Sequence, residues 1–247
     1  MALVDSLERE GNWLFRWRGQ MPVVLFVLAI PAIYLTDTYF FSPRIRTVLL
    51  VASVAMCIFG QVVRAIAVGT TPRGTSGRNR EAQEATTLNT KGIYSIVRHP
   101  LYVGNYLMWA GIALFTLSIP YFIIMSLLFW LYYERIMFAE ERYLEGKFGD
   151  EFREWAHRVP AFLPSTGDHR PSNIPFSLKT VLRREYSGIL AAVIGFLFVS
   201  VLRRHATIDM WHITNGELWI LGATLVFTFG LRIIKKTTNW LNESDRS

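Results

Sequence analysis

Six apolar stretches, each close to the length of a membrane-spanning helix, restrict most strongly how this chain can fold. A bilayer core about 30 Å thick needs roughly 20 apolar residues in a helix, and backbone polar groups inside it must bond one another. Of the 247 residues, 51% are hydrophobic. We therefore expect an all-α, polytopic membrane helix bundle of about six transmembrane helices, at residues 21–36, 45–68, 100–118, 121–140, 186–202 and 217–234.

Polar segments join these spans within one integral membrane domain, residues 1–247. Residues 1–20 mix charged and aromatic side chains, which predicts a short N-terminal helix lying in the membrane interface. The loop at 69–91 shows no apolar periodicity, and long loops of this kind are often functional. The largest polar region, 142–184, begins with an amphipathic stretch that prolines then interrupt.

An additional helical hairpin is expected at residues 185–235, formed by the last two spans. Its first helix carries Gly188, Ala192 and Gly195 at helical spacing. Small residues at this spacing favour close packing between helices in a membrane.

Basic residues are distributed very unevenly between the two sides of this arrangement. If the spans alternate, 20 of the 26 Lys and Arg lie on the N-terminal side and four on the other. The positive-inside rule then predicts that both termini are cytoplasmic, in a bacterial inner membrane or an equivalent one. A basic face beside anionic membrane lipids explains the formal charge of +7, so no nucleic-acid partner is expected.

The sequence GIYSIVRHPLYVGN, at residues 92–105, concentrates polar groups at the start of the third span. Pro100 suits the first turn of a helix, where its missing N–H costs nothing. His99 should then lie at the helix mouth, near free backbone N–H groups and the positive dipole end, where a carboxylate or phosphate can bind. The alternative is a loop that Arg98 and Tyr102 anchor at the lipid headgroups.

A short turn at residues 118–120 makes the third and fourth spans antiparallel neighbours. The start of the third span and the end of the fourth should therefore both lie at the cytoplasmic face. The His99 mouth is therefore expected to face Glu140 and Glu141 across a small gap.

Arg64, Glu134 and Arg135 are charged residues that fall inside predicted spans. A charge within a span usually faces protein or a water-filled cavity, because hydrocarbon penalises it by several kcal/mol. The alternative is that these side chains extend to the interface or form ion pairs inside the protein. Both interpretations remain open from the sequence.

Several common types of active site are absent from the sequence. It has no strand followed by a glycine-rich dinucleotide loop, no Walker loop and no serine elbow. Its five histidines show no metal-ligand spacing, so no metal is expected. Any cofactor should therefore bind at the membrane edge, between spans and loops.

Two sequence blocks resemble the signature of the isoprenylcysteine carboxyl methyltransferase and phospholipid N-methyltransferase superfamily. The first block is Gly92-x-Tyr94-x-x-x-Arg98-His99-Pro100-x-Tyr102-x-Gly104. The second comprises Glu140-Glu141, Leu144, Phe148-Gly149-x-Glu151-Phe152-x-x-Trp155, Arg158-Val159-Pro160 and Leu163-Pro164. The resemblance covers a methyltransferase-like core at residues 86–164.

The resemblance implies a membrane enzyme that uses S-adenosylmethionine without a Rossmann domain. It implies cofactor contacts from Thr87, Leu88, Asn89, Tyr94, His99, Pro100, Tyr102 and Glu140. We take Arg98, Arg135 and Glu141 as candidate catalytic residues. Arg135 is the candidate for orienting an anionic acceptor, although the family's substrate-binding arginine matches a position one residue away.

The function expected from this resemblance is methylation, at oxygen or nitrogen, of a lipid, a lipidated substrate or another membrane-partitioned acceptor at the cytoplasmic face. The alternative is an NADPH-dependent reductase of a sterol or polyprenyl-type double bond, because sterol reductases resemble the same C-terminal fold. A non-enzymatic membrane protein is the third possibility. Binding of S-adenosylhomocysteine, of NADPH or of neither ligand separates the three.

Overall fold

The computed structural model describes residues 2–37, 39–72, 85–165, 167 and 169–243. Within these residues all regular structure is helical, as the sequence predicts. A 3-10 turn precedes the fourth α-helix, at Gly92–Ser95. The α-helices are α1 (Leu3–Trp17), α2 (Met21–Tyr34), α3 (Pro43–Gly69), α4 (Pro100–Phe115), α5 (Ile119–Phe148), α6 (Asp150–Arg158), α7 (Leu178–Ile208) and α8 (Asn215–Thr237).

Four of these helices, α3, α5, α7 and α8, are long and apolar enough to cross a membrane. The pair α1 and α2, bent by 82°, would make a fifth span if counted as one. The 14 residues of α2 and the 16 of α4 rise only about 21 and 24 Å, less than a bilayer core of about 30 Å. The chain is an integral membrane protein, but the count of six spans is not confirmed.

Capping residues and prolines set where the long helices begin. Ser42 accepts a hydrogen bond from the Ile45 amide at 3.4 Å, and a proline opens the first turn of α3. Ser177 accepts from the Thr180 amide at 3.0 Å at the start of α7. Thr214 begins α8 with a reciprocal capping box. Each cap satisfies amides that the first helical turn leaves unbonded.

Glycines let α3 and α4 approach more closely than side chains would allow. A Cβ on Gly60 would lie 2.6 Å from the Gly104 carbonyl oxygen, and one on Gly104 would lie 2.5 Å from Arg64 Cγ. Nearer the other end, a Cβ on Gly111 would lie 2.5 Å from the Ser53 carbonyl oxygen. This packing fixes the N-terminal end of α4 beside the C-terminal half of α3.

A tight reversal joins α4 to α5. Thr116 donates its hydroxyl to the Ala113 carbonyl at 2.6 Å and accepts the Ser118 amide at 3.1 Å. Leu117 between them has a φ of 63°, which is unusual for a residue with a side chain. The prediction that these two helices are antiparallel neighbours is confirmed, and Phe129 and Tyr133 are buried where α5 packs into the core.

The helices α5 and α7 extend furthest beyond the spans that the sequence predicts. α5 continues past Glu140 to Phe148 and ends at Gly149, whose φ is 55°. α7 begins at Leu178, so Glu185 lies inside a helix and is only 2% exposed. Apolarity places span boundaries where polar residues begin, whereas a helix continues through polar residues until a cap or a glycine ends it.

Candidate active site

Backbone hydrogen bonds join the segment before α4 to the segment after α6. The Arg98 amide donates to the Pro160 carbonyl at 2.9 Å, and the His99 amide donates to Ala161 at 3.1 Å. The Ser165 amide donates to Ile96 at 2.9 Å. The carbonyls after α6 can accept these amides because the helix has already ended. The two sequence blocks therefore form one structural unit.

Aromatic packing strengthens the same connection. Trp155 on α6 donates its indole N–H to the Tyr94 carbonyl at 3.0 Å. Phe152, Trp155 and Val159 form a small buried cluster, against which Leu88 and Tyr94 pack. Predicted cofactor residues ahead of α4 are thus held against the C-terminal block.

Two adjacent carboxylates on α5 surround His99. Glu141 Oε1 lies 2.8 Å from His99 Nε2 and 3.0 Å from Arg98 Nε. Glu140 Oε2 accepts the Tyr102 hydroxyl at 2.9 Å and lies 3.7 Å from His99 Nδ1. The His99 side chain is 5% exposed, while the Glu140 and Glu141 side chains are 31% and 24% exposed. The predicted meeting of the His99 mouth with these carboxylates is observed.

The backbone at this helix mouth is more fully bonded than predicted. The amides of Tyr102 and Val103 both donate to the His99 carbonyl, at 3.0 and 3.1 Å, and the His99 amide is bonded to Ala161. The prediction of free amides is wrong for these three residues, because a tight first turn and the neighbouring segment satisfy them. Positive charge for an anion would come mainly from the Arg98 guanidinium and, when it is protonated, the His99 imidazole.

Tyr94 is a further polar group beside the cluster. Burial raises the Tyr94 pKa to about 12, and the nearby Glu140 charge acts in the same direction. A hydrogen bond between the Tyr94 hydroxyl and the Thr71 side chain lowers the pKa and so partly opposes this shift. The phenol therefore stays protonated near neutral pH and remains a hydrogen-bond donor.

The remaining predicted cofactor residues lie along the same segment. Pro100 is the first residue of α4, directly after His99. Thr87 is exposed, and Leu88 and Asn89 are half-buried. The Asn89 side-chain nitrogen is buried without a hydrogen-bond partner in the part of the chain that the structure describes. A buried unpaired amide of this kind indicates a place for a ligand or a water.

The structure does not bring Arg135 into this cluster. Its Nε bonds Glu10 Oε2 on α1 at 2.9 Å, and its Nη1 bonds the Leu131 carbonyl at 2.9 Å. At about 3.6 residues per turn, a residue five positions before Glu140 points about 140° away from it around the helix axis. Helical periodicity could have signalled this separation. Glu134, which precedes Arg135 in the same span, is exposed.

A second polar cluster was not recognised from the sequence. Arg64 forms a two-pronged ion pair with Glu185, at 2.8 and 2.9 Å, and also bonds Asn105. Asn105 donates to the Tyr133 hydroxyl at 3.2 Å, and the Tyr133 ring lies 4.8 Å from the Tyr102 ring. Of the alternatives left open for Arg64, the structure shows internal pairing.

The first cluster combines opposite charges in a small, partly buried volume. Arg98 and His99 offer donors, Glu140 and Glu141 offer acceptors, and charge-assisted hydrogen bonds of this type are the stronger ones. The arrangement is suited to a zwitterionic amino-acid group. No group of three or more His, Cys, Asp or Glu that could hold a metal ion occurs among the described residues.

Comparison with known proteins connects this core to an enzyme family. The sequence model of the phospholipid methyltransferase family (PEMT) matches residues 47–151. The chain is 31% identical to the probable protein-S-isoprenylcysteine O-methyltransferase of Oryza sativa subsp. indica, over 53% of this chain and 70% of that protein. No solved structure matches the chain.

Two metal-resistance proteins are also similar. Identity is 36% with the cobalt-zinc-cadmium resistance protein CzcN of Cupriavidus metallidurans, over 51% of this chain and 55% of that protein. Identity is 33% with the nickel-cobalt-cadmium resistance protein NccN of Alcaligenes xylosoxydans xylosoxydans, over 60% of this chain and 62% of that protein. The chain therefore spans less than two thirds of the length of either protein.

Proposed function

The chain belongs to the superfamily of isoprenylcysteine carboxyl methyltransferases and phospholipid methyltransferases, and we therefore propose that it is an S-adenosylmethionine-dependent methyltransferase. The acceptor is a lipid or another membrane-partitioned molecule, methylated at oxygen or nitrogen at the cytoplasmic membrane face. One observation carries the proposal: His99 lies between Glu140 and Glu141, at 3.7 and 2.8 Å, where the two family blocks meet.

The charged side chains of the cluster fit the amino-acid end of S-adenosylmethionine. Its carboxylate needs a cation, which Arg98 or a protonated His99 supplies. Its ammonium group, or the ribose hydroxyls, need an acceptor, and Glu140 is the more exposed of the two carboxylates. Glu141 is already engaged by both Arg98 and His99, so we assign it to holding those two side chains.

The surrounding polar and aromatic groups fit the rest of the cofactor. Asn89 presents a buried side-chain amide without a partner among the described residues, which a nucleoside hydroxyl or base nitrogen would satisfy. The ring of Tyr94 suits a sulfonium, since aromatic rings attract cations. The Tyr102 ring packs against His99 and Tyr133, so Tyr102 contributes through its hydroxyl bond to Glu140. Thr87, Leu88 and Pro100 complete the proposed binding set through their positions beside these groups.

When bound, the cofactor supplies an electrophilic methyl group on a sulfonium, so the protein has mainly to position and to exclude water. Tyr102 orients the Glu140 carboxylate through its 2.9 Å hydrogen bond. Glu141 holds the Arg98 guanidinium and the His99 imidazole in fixed positions. We retain Arg98 and Glu141 in the proposed site and leave out Arg135, whose guanidinium is bound to Glu10.

Transfer of labelled methyl groups from S-adenosylmethionine into a host lipid extract tests this function, with the product identified by mass spectrometry. We expect the full chain to label a lipid fraction and the Glu140→Gln variant to lose most of that activity. Glu145→Gln is the matched control, because Glu145 lies on the same helix and pairs with Arg142 and Arg153 instead. Equal labelling by all three proteins, or none by the wild type, would contradict the proposal.

We also propose that the catalytic face and both termini are cytoplasmic, in a bacterial inner membrane or an equivalent one. Reporter fusions at Ser165 and at Asp209 test this orientation. We expect a cytoplasmic signal at Ser165 and an external signal at Asp209. An external signal at Ser165 would place the site away from the cytoplasmic supply of cofactor.

A further inference from the structure

A cavity of about 280 Å³ lies between α2, α4, α5 and α7. Most of its wall is apolar, with Leu25 from α2, Met108 and Trp109 from α4, and Met125 from α5. A shape of this kind inside a helix bundle is typical of a binding site for an apolar ligand.

The charged and amide groups that line the cavity belong to Arg18, Arg64 and Asn105, towards its cytoplasmic end. At the opposite end the hydroxyls of Thr116 and Tyr121 also line it, but they donate to the Ala113 and Leu25 carbonyls.

Asn105 and Tyr133 are hydrogen-bonded to each other at the cytoplasmic end of the cavity. The Tyr133 ring contacts Tyr102, whose hydroxyl bonds Glu140 in the proposed site. A molecule with its chain in the cavity would therefore present its polar end beside the carboxylate cluster.

The depth of the cavity matches one leaflet of a bilayer. Its lining follows α4 from Asn105 to Thr116, a rise of about 16 Å at roughly 1.5 Å per residue. Half of a hydrocarbon core about 30 Å thick is about 15 Å. An extended chain from the cytoplasmic leaflet fits this depth without reaching the opposite leaflet.

Small residues on α7 create the space. Gly188 and Ala192 line the cavity, and a Cβ on Gly188 would meet no atom closer than 3.7 Å. Two turns further along, a Cβ on Gly195 would lie 2.8 Å from Ile112 Cδ1 and 3.1 Å from Phe26 Cζ. The small residues predicted to pack closely do so at Gly195, whereas Gly188 and Ala192 leave a gap.

We propose that this cavity holds one hydrocarbon chain of the methyl acceptor, and that Gly188 and Ala192 set the size of the chain that it accepts. The inference rests on the proposed methyltransferase function. It names the substrate class as a lipid whose reactive group lies next to one of its hydrocarbon chains. Because α7 lies outside the family-matched residues 47–151, the selectivity belongs to the additional hairpin of this chain.

Photo-crosslinking of the full chain in native membranes, with a palmitoyl lipid that carries a diazirine along its chain, tests occupancy. We expect labelled Met108, Trp109 or Met125, in addition to lipid-facing residues such as Ile123, which is 51% exposed. Label confined to lipid-facing residues would overturn the inference, and this outcome requires no variant to fold.

Filling the cavity tests the role of α7. Ala192→Leu should reduce labelling of the three cavity residues about tenfold or more, since a few methylenes in an apolar pocket change binding by that order. Labelling of Ile123 should not change. Ala206→Leu is the matched control, because Ala206 lies on the same helix, is exposed and does not line the cavity. Equal cavity labelling in both variants would contradict a role for Ala192.

Titration of S-adenosylhomocysteine into the same proteins separates the two proposals. We expect the affinity for S-adenosylhomocysteine to be unchanged in Ala192→Leu. The methylated products from a lipid extract should shift towards lipids with shorter or less bulky hydrocarbon chains. Cofactor-product binding without cavity labelling would overturn this inference alone. Cavity labelling without any binding of S-adenosylhomocysteine would refute the methyltransferase function. The bound hydrocarbon chain could then no longer be assigned to a methyl acceptor.

Discussion

His99 Nε2 lies 2.8 Å from Glu141 Oε1, although the residues are 42 positions apart, His99 directly before α4 and Glu141 within α5. The same carboxylate oxygen lies 3.0 Å from Arg98 Nε. One acidic side chain on α5 thus holds two adjacent side chains at the start of α4. The α4–α5 hairpin produces this contact, because its reversal at Leu117 returns α5 to the side on which α4 begins.

Replacing Glu141 with glutamine should weaken cofactor binding. The hydrogen bond between Glu141 and His99 is of a type worth about 1.5–3 kcal/mol when one partner is charged. The ion pair with Arg98 would also be lost, so both side chains would lose their fixed positions. We expect S-adenosylhomocysteine affinity to fall on the order of tenfold, measured by calorimetric titration in detergent. Glu145→Gln should bind normally. Unchanged affinity in Glu141→Gln would remove this residue from the site.

Tyr102→Phe tests whether Glu140 must be oriented by a hydroxyl. Glu140 keeps its charge but loses a hydrogen bond of 2.9 Å, so we expect roughly a threefold to tenfold loss of S-adenosylhomocysteine affinity. Tyr106→Phe provides the control on the same helix, since the Tyr106 hydroxyl bonds Ser126 instead. If both variants bind alike, Tyr102 does not position Glu140.

The meeting of the two sequence blocks could be predicted because it depends on simple quantities. Two apolar helices joined by a short turn must be antiparallel, and Pro100 fixes where the first of them begins. The positions of His99, Glu140 and Glu141 follow from these facts alone. The family resemblance was needed to predict methyl transfer, but it was not needed to predict that these residues lie close together.

The Arg64–Glu185 pair could not be predicted for a physical reason. Hydropathy placed the start of the fifth span at residue 186, which left Glu185 just outside the span, whereas the Ser177 cap starts α7 at Leu178. Partners 121 positions apart also leave no local signal. For Arg135 the local sequence was misleading instead. Arg135 is close to Glu140 in sequence, but its side chain points to a different side of α5 and bonds Glu10.

Breaking the Arg64–Glu185 pair should destabilise the fold. Glu185 is 2% exposed, and removing one partner of a buried ion pair costs about 3–5 kcal/mol. We expect Glu185→Gln to lower the midpoint of thermal unfolding in detergent clearly. The double variant Arg64→Met with Glu185→Leu should recover part of the loss, because no charge remains buried. A wild-type midpoint in Glu185→Gln would show that the pair is not important for stability.

Arg135→Gln should have little effect on the reaction. Its ion pair with Glu10 involves side chains that are 30% and 48% exposed, and such pairs contribute about 0–1 kcal/mol. We expect methyl transfer and S-adenosylhomocysteine affinity within about twofold of the wild type. A loss of tenfold or more in methyl transfer, with folding intact, would return Arg135 to the catalytic set.

Equilibrium titration of the purified full chain, first with S-adenosylhomocysteine and separately with NADPH, tests the central claim most directly. The cluster of His99, Glu140 and Glu141 predicts saturable binding of one S-adenosylhomocysteine per chain and no binding of NADPH. Saturable binding of NADPH without binding of S-adenosylhomocysteine would contradict the account and favour a reductase.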